Sequence, residues 1–129
     1  MVVTALSVLK KSRRISKMKV TIYQPKEPTF RVNEETKHYF KPDFNNVYEI
    51  ELDDELYKDK KYTDICEEMF ALTNCGPHPE GYKGHSLSVG DIVEIATTPD
   101  EHGCGGLYSY ICASFGWNNI LLYDEYFED

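Results

Sequence analysis

At 129 residues the chain is the size of one domain, long enough to bury a single hydrophobic core. Its 41% hydrophobic and 28% charged residues are ordinary for a globular protein, which excludes a fibre or a wholly disordered chain. The net charge of −8 is uneven: residues 1–19 hold six basic side chains and no acid, leaving eight basic against 22 acidic groups beyond them.

A body that acidic repels phosphate backbones, so direct nucleic-acid binding by residues 20–129 is disfavoured and a basic protein partner is favoured. The chain opens on an apolar run, Val2 to Leu9, followed by Lys10, Lys11, Arg13 and Arg14. A secretory signal has its charges before the apolar run, so residues 1–17 read as a flexible basic leader, with Met18 as a second possible start. No stretch approaches the roughly 20 apolar residues of a membrane span. Cys66, Cys75, Cys104 and Cys112 without an export signal suggest free thiols in a reducing, cytoplasmic setting.

The 10 Tyr, 6 Phe and 1 Trp favour strands. Lys19–Gln24, β-branched and aromatic, predicts the first strand, stopped by Pro25. Residues 25–43, with Pro25, Pro28 and Pro42, predict a loop or irregular edge. Val47–Leu52 alternates as a strand with Tyr48, Ile50 and Leu52 on one face and Val47, Glu49 and Glu51 on the other. After a solvated connection the spacing predicts the main helix over 63–73. Thr63 is its N-cap, Ile65, Met69 and Leu72 its apolar stripe, and Cys66 and Phe70 widen that stripe. Asn74, Gly76 and Pro77 end it. Leu87–Val89, a turn at Gly90-Asp91, and Ile92–Ile95 predict strand, turn and strand. A loop at 97–106, strands at Leu107–Phe115 and Asn119–Tyr123, and an acidic aromatic tail follow. The whole predicts an α+β fold: a curved, mainly antiparallel sheet of about five strands packed on one main helix, in a single domain over 18–129.

Thr21-Ile22-Tyr23-Gln24, Val47-Tyr48, the run His78-Pro79-Glu80-Gly81-Tyr82-Lys83-Gly84-His85-Ser86-Leu87-Ser88-Val89-Gly90-Asp91-Ile92-Val93-Glu94, and Tyr110, Cys112, Ser114-Phe115-Gly116-Trp117 and Ile120 carry a resemblance. Together they resemble the YodL-like domain of conjugative transposons, plasmids and phages, from about Lys19 to Ile120. The resemblance implies an accessory module of a mobile element, sometimes fused to DNA-processing enzymes, and brings no assigned chemistry. The loop at 97–106 and the basic leader depart from the family pattern.

His85, Ser86, Ser88 and Asp91 invite a hydrolase reading, but a triad needs a geometrically fixed nucleophile and a separate base. The structural alternative is a turn motif: Ser86 and Ser88 bond local backbone, Leu87 and Val89 enter the core, Gly90 bends and Asp91 caps. Cys75, His78, His102 and Cys104 form a weak zinc set, with no cofactor expected. Cys66 and Cys112 read as buried hydrophobes. Asp53, Asp54 and Glu55, with Glu49, Glu51 and the tail, are either a solvated face or an acidic array. Trp117 either completes the core or anchors a protein contact. The expected function is a non-enzymatic accessory protein acting by protein–protein contact. The alternatives are an acidic inhibitor of a host defence nuclease, such as a restriction or CRISPR effector, and a small metal-dependent enzyme.

Overall fold

The computed structural model describes residues 17–27, 32–33, 35–57, 59–97 and 106–126. Six strands form one sheet: β1 (Lys17–Pro25), β2 (His38–Phe40), β3 (Phe44–Asp53), β4 (Ile92–Thr97), β5 (Gly106–Ala113) and β6 (Gly116–Tyr123). Two helices follow β3, a single turn α1 (Asp54–Tyr57) and the main helix α2 (Tyr62–Asn74). The spatial order is β2-β6-β5-β4-β1-β3. Every pairing is antiparallel except β2 with β6, which is parallel. The α+β class holds, with six strands curled into a half-barrel. Leu87–Val89, expected as a strand, is not one, because the backbone groups of Leu87 and Ser88 bond the side chains of Thr73, Asn74 and Asp91 instead of a neighbouring strand. The strand not expected is β2, inside the stretch read as a loop or edge. It is too short to show an alternating pattern, and its partner β6 lies some 80 positions away in the chain.

The strand alternation builds two apolar layers. Met18, Val20 and Ile22 of β1, with Val93 and Ile95 of β4 and Cys112 of β5, face Ile65, Cys66 and Met69 of α2. On the other face Ile92, Ile111, Ile120 and Leu122 gather with Tyr39 and Phe44. Cys66 and Cys112 are buried hydrophobes, as their apolar surroundings suggest.

Local differences from the sequence expectations have physical causes. The β1–β3 register slips after Ile22, pairing Ile22 with Tyr48 and Tyr23 with Asn46, so Val47 is the extra residue of a β-bulge. The bulge turns Val47 into the core layer that Tyr48, Ile50 and Leu52 also pack against, not to the side of Glu49 and Glu51. Helix α2 starts at Tyr62 with Lys61 at the N-cap, so Thr63 lies in the first turn. Lysine offers no acceptor, and the Asp64 carboxylate instead takes the Lys61 N–H at 3.0 Å. The buried stripe of α2 is Ile65, Cys66, Met69 and Thr73, with Phe70 and Leu72 at its exposed margin. Thr73 replaces Leu72 because its hydroxyl has a buried partner in the segment that follows. Among the described residues no helix is long and apolar enough to cross a membrane.

Candidate functional site

Gln24 occupies the next inward position after Met18, Val20 and Ile22, where an apolar side chain would continue the pattern. A buried amide needs partners, and segment 78–91 supplies them. Gln24 Nε2 donates to the His85 carbonyl at 2.8 Å and to Asp91 Oδ2 at 3.0 Å, while Gln24 Oε1 accepts the His85 N–H at 3.2 Å. One side-chain amide thus pairs with both backbone groups of His85, as a neighbouring strand would. Segment 85–91 runs beside β1 without being a strand.

Asp91, 1% exposed, holds the other end. Its Oδ2 also accepts the Ser88 N–H at 2.9 Å, and the Asp91 N–H returns to the Ser88 carbonyl at 3.0 Å. Val89 and Gly90 form the middle of this turn, and Gly90 takes φ +100°, which a side chain at that position would resist. Gly90 and Asp91 then exchange backbone bonds with Cys112 of β5, fixing the turn to the sheet. Burial is the main influence on the Asp91 carboxyl and pushes its pKa up to about 6, against the Ser88 and Gln24 hydrogen bonds and the nearby His85.

The end of α2 holds Leu87 between two polar side chains. Thr73 Oγ1 accepts the Leu87 N–H at 2.9 Å, and Asn74 Nδ2 donates to the Leu87 carbonyl at 3.0 Å. Ser86 Oγ donates to the Thr73 carbonyl at 2.9 Å, satisfying one of the helix's terminal acceptors. Leu87 enters the core as expected, whereas Val89 does not and is 53% exposed. The bonds of Ser86 are long-range rather than local, and Ser88 contributes its backbone to the turn. His85, Ser86 and Asp91 do not converge: Ser86 Oγ lies 3.0 Å from His78 Nε2, while His85 Nδ1 lies 2.8 Å from the Ser86 carbonyl. A proton on Nδ1 completes that last bond. The serine is therefore held by helix and His78, not by a His–Asp pair.

Gly84 packs directly against Gln24 of β1 and Val47 of β3. A Cβ there would collide with the Gln24 amide and lie 2.9 Å from Val47 Cγ1. Tyr82 donates to the His85 carbonyl at 2.7 Å and packs between Tyr48 and His78, with ring centroids 5.4 and 4.7 Å away. Burial and the Asp91 charge push the Tyr82 pKa up to about 12.

Cys75 sits exposed at the C-cap of α2, His78 is engaged by Ser86 and Tyr82, and His102 and Cys104 lie outside the described residues. Among the described residues no group of three metal-ligating side chains gathers. Asp53 and Asp54 are half-buried and Glu55 is exposed. Asp53 Oδ1 accepts the Glu55 N–H at 2.9 Å, which starts α1. Burial, then the charges of Asp53 and Glu55, raise the Asp54 pKa. Trp117 is half-buried against the α2-facing core, while neighbouring Phe115 is 94% exposed. Phe115 and Ser114 form the β5–β6 turn, and Gly116, at φ +91°, supplies the left-handed residue that closes it.

A second polar group on the opposite sheet face was not anticipated. Glu94, 5% exposed, sits mid-strand in β4 in register with Thr21 and Ser109, both buried. Lys41 Nζ lies 3.4 Å from Glu94 Oε2 and 2.8 Å from Asp124 Oδ1. Burial works against the Lys41 ammonium, but Asp124 and Glu94 outweigh it and hold its pKa above the usual lysine value. The available signals were a glutamine in an inward strand position and a single acid within Ile92-Val93-Glu94-Ile95.

The molecule is thus a small α+β domain in which one polar segment is bonded to both the sheet and the main helix. The chain belongs to the YodL-like domain family, whose model matches residues 14–122. No curated protein and no solved structure matches it.

Proposed function

We propose that this domain is a non-enzymatic accessory module of a mobile genetic element and works by contact with a protein partner. The observation that carries the reading is Phe115, an aromatic ring 94% exposed on a tight turn. The turn projects the ring into solvent, and burying a phenylalanine is worth roughly 1.5–3 kcal/mol. Val89, also exposed, sits in the 88–91 turn, whose Gly90 N–H donates to the Cys112 carbonyl of β5. Within the 78–91 segment the Asp91 side chain is engaged with Gln24 of β1 and that of Ser86 with the end of α2, which supports a structural role for these two.

Free thiols at Cys66, Cys75 and Cys112 fit a cytoplasmic setting. Burial raises the thiol pKa of Cys66 and pushes that of Cys112 up to about 11, which suits packing rather than nucleophilic chemistry.

A second reading, an acidic inhibitor of a host defence nuclease, rests on the exposed Glu49 and Glu51 of β3 and the crowded Asp53, Asp54 and Glu55 beyond them. Affinity capture with the full chain from nuclease-treated host lysate separates the two. The contact reading predicts a partner retained by Asp53→Lys/Glu55→Lys and lost with Phe115→Ser. Recovery of a nuclease that is lost on charge reversal and indifferent to Phe115 would favour inhibition.

A further inference from the structure

We propose that the outer edge of β3 is a docking strand for an extended segment of a partner protein in which basic and apolar residues alternate. The inference rests on the protein-contact reading and adds a surface separate from the β5–β6 turn.

β3 is the last strand on its side of the sheet. A terminal strand presents backbone donors and acceptors with no neighbour, and an added strand can pair with them. This edge already pairs at one point: the Lys83 N–H donates to the Val47 carbonyl at 2.9 Å. A groove lined by Asn46, Val47, Tyr48, Glu49, Gly81 and Lys83 marks where the 78–91 segment leaves the edge. From Tyr48 to Asp53, among the described residues, no strand lies beyond it. That length matches an ordinary strand of about 5–6 residues.

The side chains specify the occupant. Tyr48, Ile50 and Leu52 border the α2-facing core and are only half-buried, so an added strand with apolar residues on that side would complete their cover. Glu49 and Glu51 point to the other face and are exposed. Lys19 opposes them weakly, 4.0 Å from Glu49 in a half-exposed pair, and Lys83 lies at the far end. A second copy of β3 would bring like charges together, whereas an alternating basic and apolar segment matches both faces.

The test uses the full chain and a labelled eight-residue peptide alternating Arg and Val, titrated at low salt, with backbone amide exchange read residue by residue. Saturable binding is expected, with new protection confined to Tyr48–Asp53. Glu49→Lys/Glu51→Lys, both at exposed positions, should weaken binding about tenfold or more and instead accept a Glu–Val peptide. Absence of saturable binding, protection on another element, or an indifferent double variant would overturn the proposal. So would self-association that competes with the peptide, because it would assign the edge to a second copy. A partner whose capture depends on Phe115, found alongside absent peptide binding, would overturn the β3 edge and leave the contact reading standing.

Discussion

Gln24 and Asp91, 67 positions apart in the chain, share a buried hydrogen bond of 3.0 Å that joins the first strand to the end of the 78–91 segment. Replacing Asp91 with Ala leaves the Ser88 N–H and one hydrogen of the Gln24 amide without their acceptor. An unsatisfied buried donor costs about 1–3 kcal/mol, so Asp91→Ala should lose about 2–4 kcal/mol in denaturant unfolding.

Asp91 also gives a pH signature. Its folded pKa, raised by burial to about 6 from 3.8, means that the folded state favours the neutral carboxyl. Its contribution to stability is therefore full below the lower value and is lost as pH rises through the upper one. Asp91→Asn keeps an acceptor and removes the titration. Stability of the wild type relative to this variant should fall by on the order of 2–3 kcal/mol between pH 4 and pH 7. A flat difference across that window would show that Asp91 is not held in a desolvated site.

Gly84→Ala should destabilise by about 1–3 kcal/mol, since the new methyl meets the Gln24 amide and the Val47 side chain at the bulge. The same substitution at Gly81 meets no atom within 4 Å, and its cost comes only from the φ of +86°. Urea midpoints for the two variants compare a close approach with a backbone preference.

Lys41→Met should cost about 3 kcal/mol, because Glu94 is left buried without its cation. Adding Glu94→Leu should recover most of that loss. A double-mutant cycle by thermal unfolding checks this, and additive single effects would mean that the 3.4 Å pair contributes nothing.

The fold class was legible because long elements carry their own period. Met18, Val20 and Ile22 alternate, and Ile65, Cys66 and Met69 recur at helical spacing. β2 was not, because three residues are too few for a period and its pairing is long-range. The Val47 bulge escaped for a related reason: a one-residue slip reverses the faces without changing the composition. The special segment was visible, but its bonding was not, because Gln24, Thr73 and Asn74 lie outside it. Trp117, a candidate for either core or contact, is half-buried against the core, whereas the turn exposes Phe115, which composition alone does not distinguish from a core aromatic.

The most direct measurement is a binding titration of the captured partner against wild type and Phe115→Ser, with unfolding curves recorded on the same samples. Phe115→Ser should stay within about 0.5 kcal/mol of wild-type stability, as befits an exposed turn residue, while partner affinity falls at least tenfold. Unchanged affinity in an equally stable variant would contradict the contact reading.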